Sequence, residues 1–398
     1  MSDFGLPQVI IDFKTKSVSA IQRSARGIVV MLLKNEATNT SKFYKIVDGT
    51  DVPDGLSAKN IDLVKKCLLG TPAKVLLYTL PLDSVTLAEP AEGEEAETLI
   101  TQATVLKQIY NIKWNYICHP TATAQEMTDL ATWVKTKRNN NRKTFKAVVS
   151  NTPADDKGVI NLTTGHIRVA NPEYTDALNM AGGDKTQVPQ NIPEYITYTA
   201  AEYTCRIAGI LAGLALDRSA TYYELAEVVD CDLYEDIDTN IDDGELCLFD
   251  EFDGNGVKIA RACNSLHTFT TDVGKDFRFI KIMEAVDMIT DDIRDTFKNS
   301  YTGKIINDYN HKMNFIGAIH VYFRGIKGNV LDASPTAVNT VDIDEAAQAD
   351  YIKLKGLDDP ADLTVQQIRE YNTGTKVMLS GRVTPVNAME DLKINFAM

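Results

Sequence analysis

The sequence has few of the features that mark membrane, secreted or metal-binding proteins. Its longest apolar stretch, Ile207–Leu216, has ten residues, about half of the roughly 20 that a membrane helix needs. The N-terminus has no basic region followed by an apolar one, so we expect no secretory signal and synthesis that ends in the cytoplasm. The six cysteines are scattered without a CxxC pair. This spacing argues against a zinc site or a disulfide framework and predicts buried free thiols.

Basic residues are also fewer than acidic ones. The chain has 41 Lys and Arg against 55 Asp and Glu, a formal net charge of −14, which argues against a protein whose main task is to bind nucleic acid. Hydrophobic residues make up 44%, an ordinary globular composition. At roughly 100–200 residues per domain, the 398 residues predict two or three domains.

Catalytic signatures are missing as well. The sequence has no GxSxG elbow, no HExxH pair and no GxxxxGK[ST] loop, and its five histidines show no metal-binding spacing. A hydrolase that uses His267 with Ser265 is the enzyme alternative, although no elbow or orienting carboxylate accompanies the pair. We therefore expect no enzymatic activity and no cofactor or metal.

Two blocks of opposite charge stand out. The acidic run Asp236–Glu245 fails the calcium-loop pattern in both registers, so it predicts an acidic solvated loop or a subunit contact. The basic run Lys135–Lys146 suits a helix C-terminus followed by a loop, and it has no interleaved aromatic residues for nucleic acid. Together the blocks could form complementary patches between neighbouring copies. The candidate lattice charge contacts are Lys137, Arg138, Arg142, Lys143, Asp236, Asp238, Asp242 and Asp243.

Both ends of the chain show the period of two that is typical of strands. Val9, Ile11 and Phe13 share one face near the N-terminus, and Leu392, Ile394 and Phe396 share one face at the C-terminus. A terminal strand is stable only when its backbone joins a sheet. That sheet could belong to the same chain or to a neighbouring subunit, and the pattern alone leaves both possibilities open.

Between the ends, the patterning predicts three further regions. Short strands at Ile28–Leu33, Phe43–Val47 and Lys74–Leu80 surround a helix at Leu56–Leu69, and four glutamates and two breakers within Glu89–Glu95 then indicate a boundary. Alternating helices and apolar strands follow, which indicates an α/β domain with a largely parallel sheet. A long helix from Phe279, a second helix through Phe323 and a strand-like, turn-rich tail after Gly328 complete the chain. The predicted domains are an N-terminal arm (1–22), a small β-rich domain (23–92), a central α/β domain (93–277) and a C-terminal α+β domain (278–398) that ends in a strand arm from about 382.

Several stretches resemble contractile phage tail sheath proteins. The likeness is strongest in the segments Gly5–Pro7, Arg23–Gly27, Val286–Ile289, Asp291–Phe297, Tyr301–Lys304 and Gly381–Leu392, and it extends over nearly the whole chain. It points to sheaths of phages, defective prophages and R-type bacteriocin particles of Gram-positive bacteria.

The resemblance implies a structural subunit and no enzyme. Such subunits form stacked hexameric rings around an inner tail tube, as a helical polymer, and contract to drive the tube through a target cell envelope. Their central domain has a subtilisin-like topology without the protease triad, and their terminal arms complete a sheet in neighbouring subunits. Carried over, the inter-subunit arm residues are Pro7, Val9, Ile11, Phe13, Leu392, Ile394 and Phe396.

The implied partners are other copies of the chain, the inner tube, the baseplate and the tail terminator, with no direct contact to nucleic acid and no membrane insertion. The implied location is a virion or phage-tail-like particle assembled in the host cytoplasm. The candidate tube-facing residues are Lys304, Gln366 and Arg369, in the segments Asp291–Asp308 and Leu363–Tyr371. Besides the hydrolase, the alternative is a non-contractile baseplate or capsid component.

Overall fold

The computed structural model describes residues 20–87, 97–356 and 358–397. Its α-helices are α1 (Ala58–Leu68), α2 (Gln102–Ile109), α3 (Ala124–Asn141), α4 (Pro172–Met180), α5 (Ala200–Gly213), α6 (Ile237–Asp242), α7 (Ile280–Thr296), α8 (Tyr309–Ile326), α9 (Glu345–Lys355) and α10 (Val365–Glu370). A π-helical turn spans Phe297–Tyr301, and short 3₁₀ turns lie at Gly49–Asp51, Lys185–Gln187, Lys275–Arg278 and Pro360–Asp362.

The strands are mostly short. They are β1 (Ile28–Glu36), β2 (Phe43–Ile46), β3 (Lys74–Pro81), β4 (Tyr116–Cys118), β5 (Lys146–Ser150), β6 (Val159–Leu162), β7 (Ile167–Ala170), β8 (Tyr195–Tyr198), β9 (Val228–Asp230), β10 (Glu245–Leu246), β11 (Leu248–Asp250), β12 (Val257–Ile259), β13 (Thr340–Ile343) and β14 (Leu379–Arg382).

The chain divides into two compact units. The large unit comprises the described residues within 24–291 and 385–397, and the small unit comprises residues 20–23 and the described residues within 292–384. The division therefore falls inside α7, after Asp291, and the C-terminal residues return to the large unit. The sequence boundaries at 92 and 277 do not coincide with it.

The main sheet contains strands from both sides of the predicted boundary at 92. Its strand order in the described residues is β10-β6-β5-β4-β1-β3-β2, parallel throughout except for β2, which runs antiparallel to β3. Within it, β1 pairs with β3 on one side and with β4 on the other. A nearly continuous apolar strand such as β1 is typical of the centre of a parallel sheet, and here it joins β3 to β4 across the predicted boundary. The expected α/β class with a largely parallel sheet is confirmed.

The large unit buries an apolar layer on each face of this sheet. Along β1, Val29, Met31 and Leu33 face one layer, which α1 and α5 cover. Residues Ile28, Val30 and Leu32 face the other layer, covered by α2 and α3. Because side chains alternate across a strand, one uninterrupted apolar run supplies both cores.

Helices α1 and α5 approach each other unusually closely. A Cβ atom built on Gly209 would lie 2.1 Å from the carbonyl oxygen of Cys67, and one on Gly213 would lie 1.8 Å from that of Gly70. Real side chains do not reach such distances, so glycine is required at this crossing. The small residues of α5 therefore have a packing role.

The small unit contains α8, α9, α10 and the antiparallel strand pair β13–β14. At its centre the Lys312 ammonium donates to Gln348 Oε1 at 2.9 Å, and Gln348 Nε2 donates to the carbonyl oxygen of Ile368 at 2.7 Å. The prediction of strand-like structure after Gly328 is wrong for α9. Gln348 and Ile352, four residues apart, are both fully buried, which is the spacing of one helix face.

Candidate assembly surfaces

The C-terminal arm is attached to the large unit through one acidic pair. The hydroxyl groups of Ser219 and Thr221 both donate to Glu390 Oε1 at 2.9 Å. Arg261 forms an ion pair with Asp391, and its Nε lies 3.8 Å from Glu390 Oε2. The Glu390 side chain is only 7% exposed. These five residues, which we call the root cluster, hold the arm at positions 390 and 391.

Beyond the root cluster the arm is exposed. Leu392, Ile394 and Phe396 are 86%, 57% and 87% exposed, and within the described residues the structure assigns no strand to the segment 391–397. Among the described residues, the predicted period-two strand therefore joins no sheet. Its N-terminal counterparts, Pro7, Val9, Ile11 and Phe13, lie outside the described residues, so the pairing of both arms with neighbouring subunits stays a prediction.

A stripe of carboxylates fixes the first part of α7 to the rest of the large unit. Glu284, Asp287 and Asp291 follow one another at spacings of three and four, so they share one helix face. Lys146 Nζ lies 2.7 Å from Glu284 and 2.6 Å from Asp287. Asp291 accepts from the Thr144 hydroxyl at 2.7 Å and pairs with Lys113 at 2.9 Å. We call Glu284, Asp287 and Asp291 the carboxylate stripe.

Two further contacts make Glu284 the most constrained member of the stripe. Arg26 forms an ion pair with it, and the Tyr116 hydroxyl donates to its Oε1 at 2.5 Å. Burial alone would raise the pKa of Glu284, but Lys146 and Arg26 hold that pKa well below its usual range. For Tyr116, burial and the neighbouring Glu284 raise the pKa well above its usual range. The site thus keeps a carboxylate charged and a phenol neutral, which stabilises one fixed geometry.

The structure corrects one of the predicted lattice charge contacts. Arg138 is 8% exposed, and its guanidinium donates to both oxygens of Asp287 at 3.1 and 3.0 Å. Its side chain lies on the buried face of α3, so it is a core ion pair rather than a surface contact. The sequence shows how many basic residues the run contains, but it does not show which of their side chains is buried.

The other charged candidates lie at or near the surface. Lys137 and Lys143 sit over the Tyr110 ring at 5.4 and 4.1 Å, and Lys143 also donates to the Tyr110 carbonyl at 2.9 Å. Arg142 is exposed at the C-cap of α3. Asp236 caps α6 by accepting from Thr239, and Asp242 lies 3.3 Å from Arg278. Both Asp238 and Asp243 are exposed.

The predicted tube-facing residues differ in their exposure and in the contacts that they make within the small unit. Lys304 is exposed, three residues after the π-helical turn. Gln366 is exposed on α10 and donates to Glu370. Arg369 pairs with Asp342 at 2.7 Å and with Glu345 at 2.8 Å, and this guanidinium lowers the pKa of Asp342. Lys304 and Gln366 therefore present the more accessible side chains.

The hydrolase alternative gains no support from the geometry. The Ser265 hydroxyl donates to the carbonyl oxygen of Asp156 at 3.0 Å. His267 Nδ1 lies 3.2 Å from the Ser265 carbonyl oxygen and 3.6 Å from Asp155, so the imidazole faces the backbone rather than the hydroxyl. A nucleophile and its base need a direct hydrogen bond, and this pair does not make one.

Several further expectations can be compared with the structure. All six cysteines are free, five of them buried and Cys231 half-buried, as predicted. Across the described residues, no cluster of three His, Cys, Asp or Glu side chains could hold a metal ion. None of the helices in that part of the chain has the length and apolarity needed to cross a bilayer.

Sequence reasoning missed both the root cluster and the carboxylate stripe. The stripe had a readable signal, since Glu284, Asp287 and Asp291 recur with the helix period, but the apolar residues of α7 dominated its interpretation. Its partners, such as Lys146 and Arg138, lie more than a hundred residues away in the chain. The root cluster had no local signal, because Arg261 and Glu390 meet only through the fold.

Comparisons with known proteins agree on one family. Residues 95–265 match the sequence model of the phage tail sheath protein central domain. The chain is 30% identical over 406 aligned residues to a tail sheath protein of Clostridium phage phiCD119, with 99% of each chain covered.

Solved structures show the same fold. The sheath tail protein of Desulfitobacterium hafniense matches with a TM-score of 0.62 at 19% identity, covering 85% of this chain and 94% of that one. The anti-feeding prophage helical sheath in its contracted state matches with a TM-score of 0.63 at 13% identity, covering 99% of both chains.

Proposed function

Since the chain belongs to the phage tail sheath protein family, we propose that it is the subunit of a contractile tail sheath, which polymerises as stacked hexameric rings around an inner tail tube. Contraction of the polymer then drives the tube through a target cell envelope. The observation that carries the polymerisation step is the C-terminal arm, anchored at Glu390 and exposing Leu392, Ile394 and Phe396 beyond it.

The arms connect the copies. The C-terminal strand of one subunit, and the N-terminal strand Pro7–Lys14 of another, add to a sheet in their neighbours, where main-chain hydrogen bonds supply affinity and the alternating apolar side chains supply register. Such an interface joins different surfaces and does not close on itself, so it generates an open helix of any length. The exposed apolar face of the arm supports this step because a lone apolar strand is costly in water.

Contraction is a change of lattice with little change inside the subunits. The extended lattice is kinetically trapped, and a signal from the baseplate lets the subunits rotate as nearly rigid bodies into a contracted lattice of lower free energy. The arms act as tethers that keep the lattice continuous. The carboxylate stripe supports this mechanism, because its buried ion pairs resist deformation of the large unit where α7 is attached.

The same proposal assigns partners, location and architecture. The partners are the inner tube, the baseplate and the tail terminator, and the particle assembles in the bacterial host cytoplasm. Lys304, Gln366 and Arg369 face the tube, and the exposed charges of the lattice candidates contact neighbouring copies. A subtilisin-like, non-catalytic topology of the central residues is part of the proposal, and the largely parallel sheet supports it.

The polymerisation step is tested at the two faces of the arm. We expect the triple variant Leu392→Ser, Ile394→Ser, Phe396→Ser to remain folded and monomeric, because the apolar face that a neighbouring sheet would bury is removed. The matched control is Lys393→Ser, Asn395→Ser, Ala397→Ser, which changes the opposite face and should still polymerise. Negative-stain microscopy and sedimentation give the readout.

Deletions provide a second version of this test. Removal of residues 1–16, or of residues 389–398, should likewise leave folded monomers. Sheaths like those of the wild type from either deletion or from the apolar triple variant would contradict the tether mechanism. Closed rings that never elongate would instead favour the baseplate or capsid alternative.

The tube contact is tested by charge reversal at Lys304. Because charges at a surface contact are screened by salt, we expect Lys304→Glu to weaken templating of the sheath by the tube, and the loss to appear at lower salt than for the neutral control Lys304→Gln. Arg369 is the poorer probe, since its reversal also breaks the pairs with Asp342 and Glu345. Equal templating by all Lys304 variants at every salt concentration would remove Lys304 from the tube surface.

A further inference from the structure

We infer that the root cluster sets the pivot of the C-terminal arm, so that only residues 392–398 move between neighbours. This inference rests on the proposed function of the arm as a tether. It concerns Glu390 and Arg261 as positioning residues, since neither belongs to the apolar face that a neighbouring sheet would bury.

The contacts of Glu390 and Asp391 define where the chain is held. Glu390 Oε1 accepts two hydroxyl hydrogen bonds at 2.9 Å, from Ser219 and Thr221. The second hydroxyl is itself fixed, because Thr221 Oγ1 accepts from the backbone N–H of Ala262 at 3.0 Å. Arg261 binds the next residue, Asp391. Two consecutive side chains are thus bound to the same body, which restrains both the position and the direction of the backbone.

The chain on either side of this point is held differently. Upstream, Thr384 is fixed within the small unit, where its N–H donates to Asn339 Oδ1 and its carbonyl accepts from the N–H of Asp332, both at 2.8 Å. Downstream, every residue from Leu392 to Ala397 is exposed. The chain is therefore bound to the large unit through the side chains of Glu390 and Asp391, and this binding ends before Leu392.

The position of the pivot determines how far the arm reaches. An extended chain spans about 3.5 Å per residue. From Asp391 to Met398 there are 398 − 391 = 7 residues, a reach of about 25 Å. Without the root cluster the arm would start after Pro385, which the structure assigns to a β-bridge, with 398 − 385 = 13 residues and a reach of about 45 Å. The root cluster nearly halves the distance over which a neighbour can be tethered, which narrows the range of lattices that the arms permit.

The mobility of the arm tests the pivot in the monomer. Nitroxide labels at Met389→Cys and Asn395→Cys report on the two sides, and the native thiols are buried or half-buried. We expect the label at 389 to tumble about threefold more slowly than the label at 395. In the root variant Glu390→Ala, Asp391→Ala the two rates should converge, whereas Lys393→Ala should leave the difference unchanged. Equal, fast tumbling at both positions in the otherwise wild-type chain would overturn the inference.

Insertions test the pivot in the polymer. A Ser-Gly insertion between Asn387 and Ala388 lies upstream of the root cluster, so we expect it to leave the helical rise and twist of the sheath unchanged. The same insertion between Asp391 and Leu392 lengthens the reach by about 7 Å and should change those parameters or lower the order of the polymer. Equal effects of the two insertions would contradict a pivot at Asp391.

These tests separate the inference from the proposed function. If labels at 389 and 395 differ but neither the wild-type chain nor any variant polymerises, the root cluster holds the arm and the tether function fails. If sheaths form normally while the labels move alike and the insertions act alike, the tether function stands and the pivot lies elsewhere.

Discussion

At the scale of single residues, the buried Arg138–Asp287 pair makes the clearest prediction for stability. Arg138→Leu removes one partner of a buried pair and leaves Asp287 with Lys146 as its remaining cation. Breaking a buried ion pair from one side costs about 3–5 kcal/mol, and we expect the lower end because Lys146 stays. Denaturant unfolding of the monomer measures the change.

The control for this prediction lies on the same helix. Asn140 is exposed on α3, so Asn140→Ala should change the free energy of unfolding by no more than about 0.5 kcal/mol. A loss below about 1 kcal/mol for Arg138→Leu would show that the pair contributes little beyond packing.

A second residue-scale prediction concerns pH. His119 is fully buried. Gln102 Nε2 donates to the carbonyl oxygen of Glu126 at 2.8 Å, so its Oε1 accepts from His119 Nδ1 at 2.7 Å. Burial lowers the pKa of His119 to about 4, below the usual 6.5, so the unfolded chain binds more protons between these values. The buried, neutral His119 therefore makes its full contribution to the free energy of unfolding above pH 6.5. That contribution is lost as the pH falls toward 4, which lowers the free energy of unfolding by up to about 3 kcal/mol.

The pH prediction is checked by comparing slopes. The free energy of unfolding between pH 4 and 6.5 should fall less steeply on acidification in His119→Gln than in the wild type, because the variant has no imidazole to protonate. His166 is exposed, and His166→Gln should keep the wild-type slope. Identical slopes for all three proteins would show that His119 is not a source of the acid sensitivity.

At the scale of elements, the α1–α5 crossing depends on glycine. Gly209→Ala places a Cβ 2.1 Å from the carbonyl oxygen of Cys67, and overpacking of this kind costs about 1–3 kcal/mol. We expect a lower midpoint of thermal unfolding. Gly317→Ala is the matched control, because that glycine is exposed on α8 with no atom within 4 Å of the added Cβ. It should gain about 0.4–1 kcal/mol, and a loss of similar size in both variants would contradict a specific role for the crossing.

The same elements show what the sequence could predict. The helical pattern at Leu56–Leu69 and the apolar run at Ile28–Leu33 identified α1 and β1 to within a few residues, because local patterning reflects which faces are buried. The helix α9 was missed since its buried face rests on Gln348 and Ile352 rather than on a continuous apolar stripe. For the arm, alternation identified Leu392, Ile394 and Phe396 as one face, but no local pattern can name the sheet that a strand will join.

At the scale of the whole molecule, the net charge of −14 predicts how assembly responds to salt. Copies of the same acidic chain repel one another, and raising the ionic strength from about 0.01 to 0.15 M shortens the Debye length from about 30 to 8 Å. We expect the protein concentration needed for sheath formation to fall over this range, as measured by sedimentation. A rise instead would mean that attraction between the exposed charged patches outweighs the net repulsion.

The overall division of the chain was the least predictable property. Composition allows several domains, and the acidic segment Glu89–Glu95 predicts a boundary. The strands on either side of this segment, β3 and β4, instead belong to the same sheet as β1, and Glu89–Glu95 itself lies outside the described residues. Domain boundaries depend on which strands pair, and those pairs, such as β1 with β4, join residues almost ninety positions apart.

The edges of the main sheet bear on how such a chain avoids aggregation. Strand β10 offers only two residues at one edge, and β2 offers four at the other, with exposed Lys45 among them. Short edge strands and an edge lysine discourage intermolecular β-pairing. The main sheet of a free subunit therefore offers little ladder through which copies could mispair, so growth through the proposed arm strands meets little competition from this sheet.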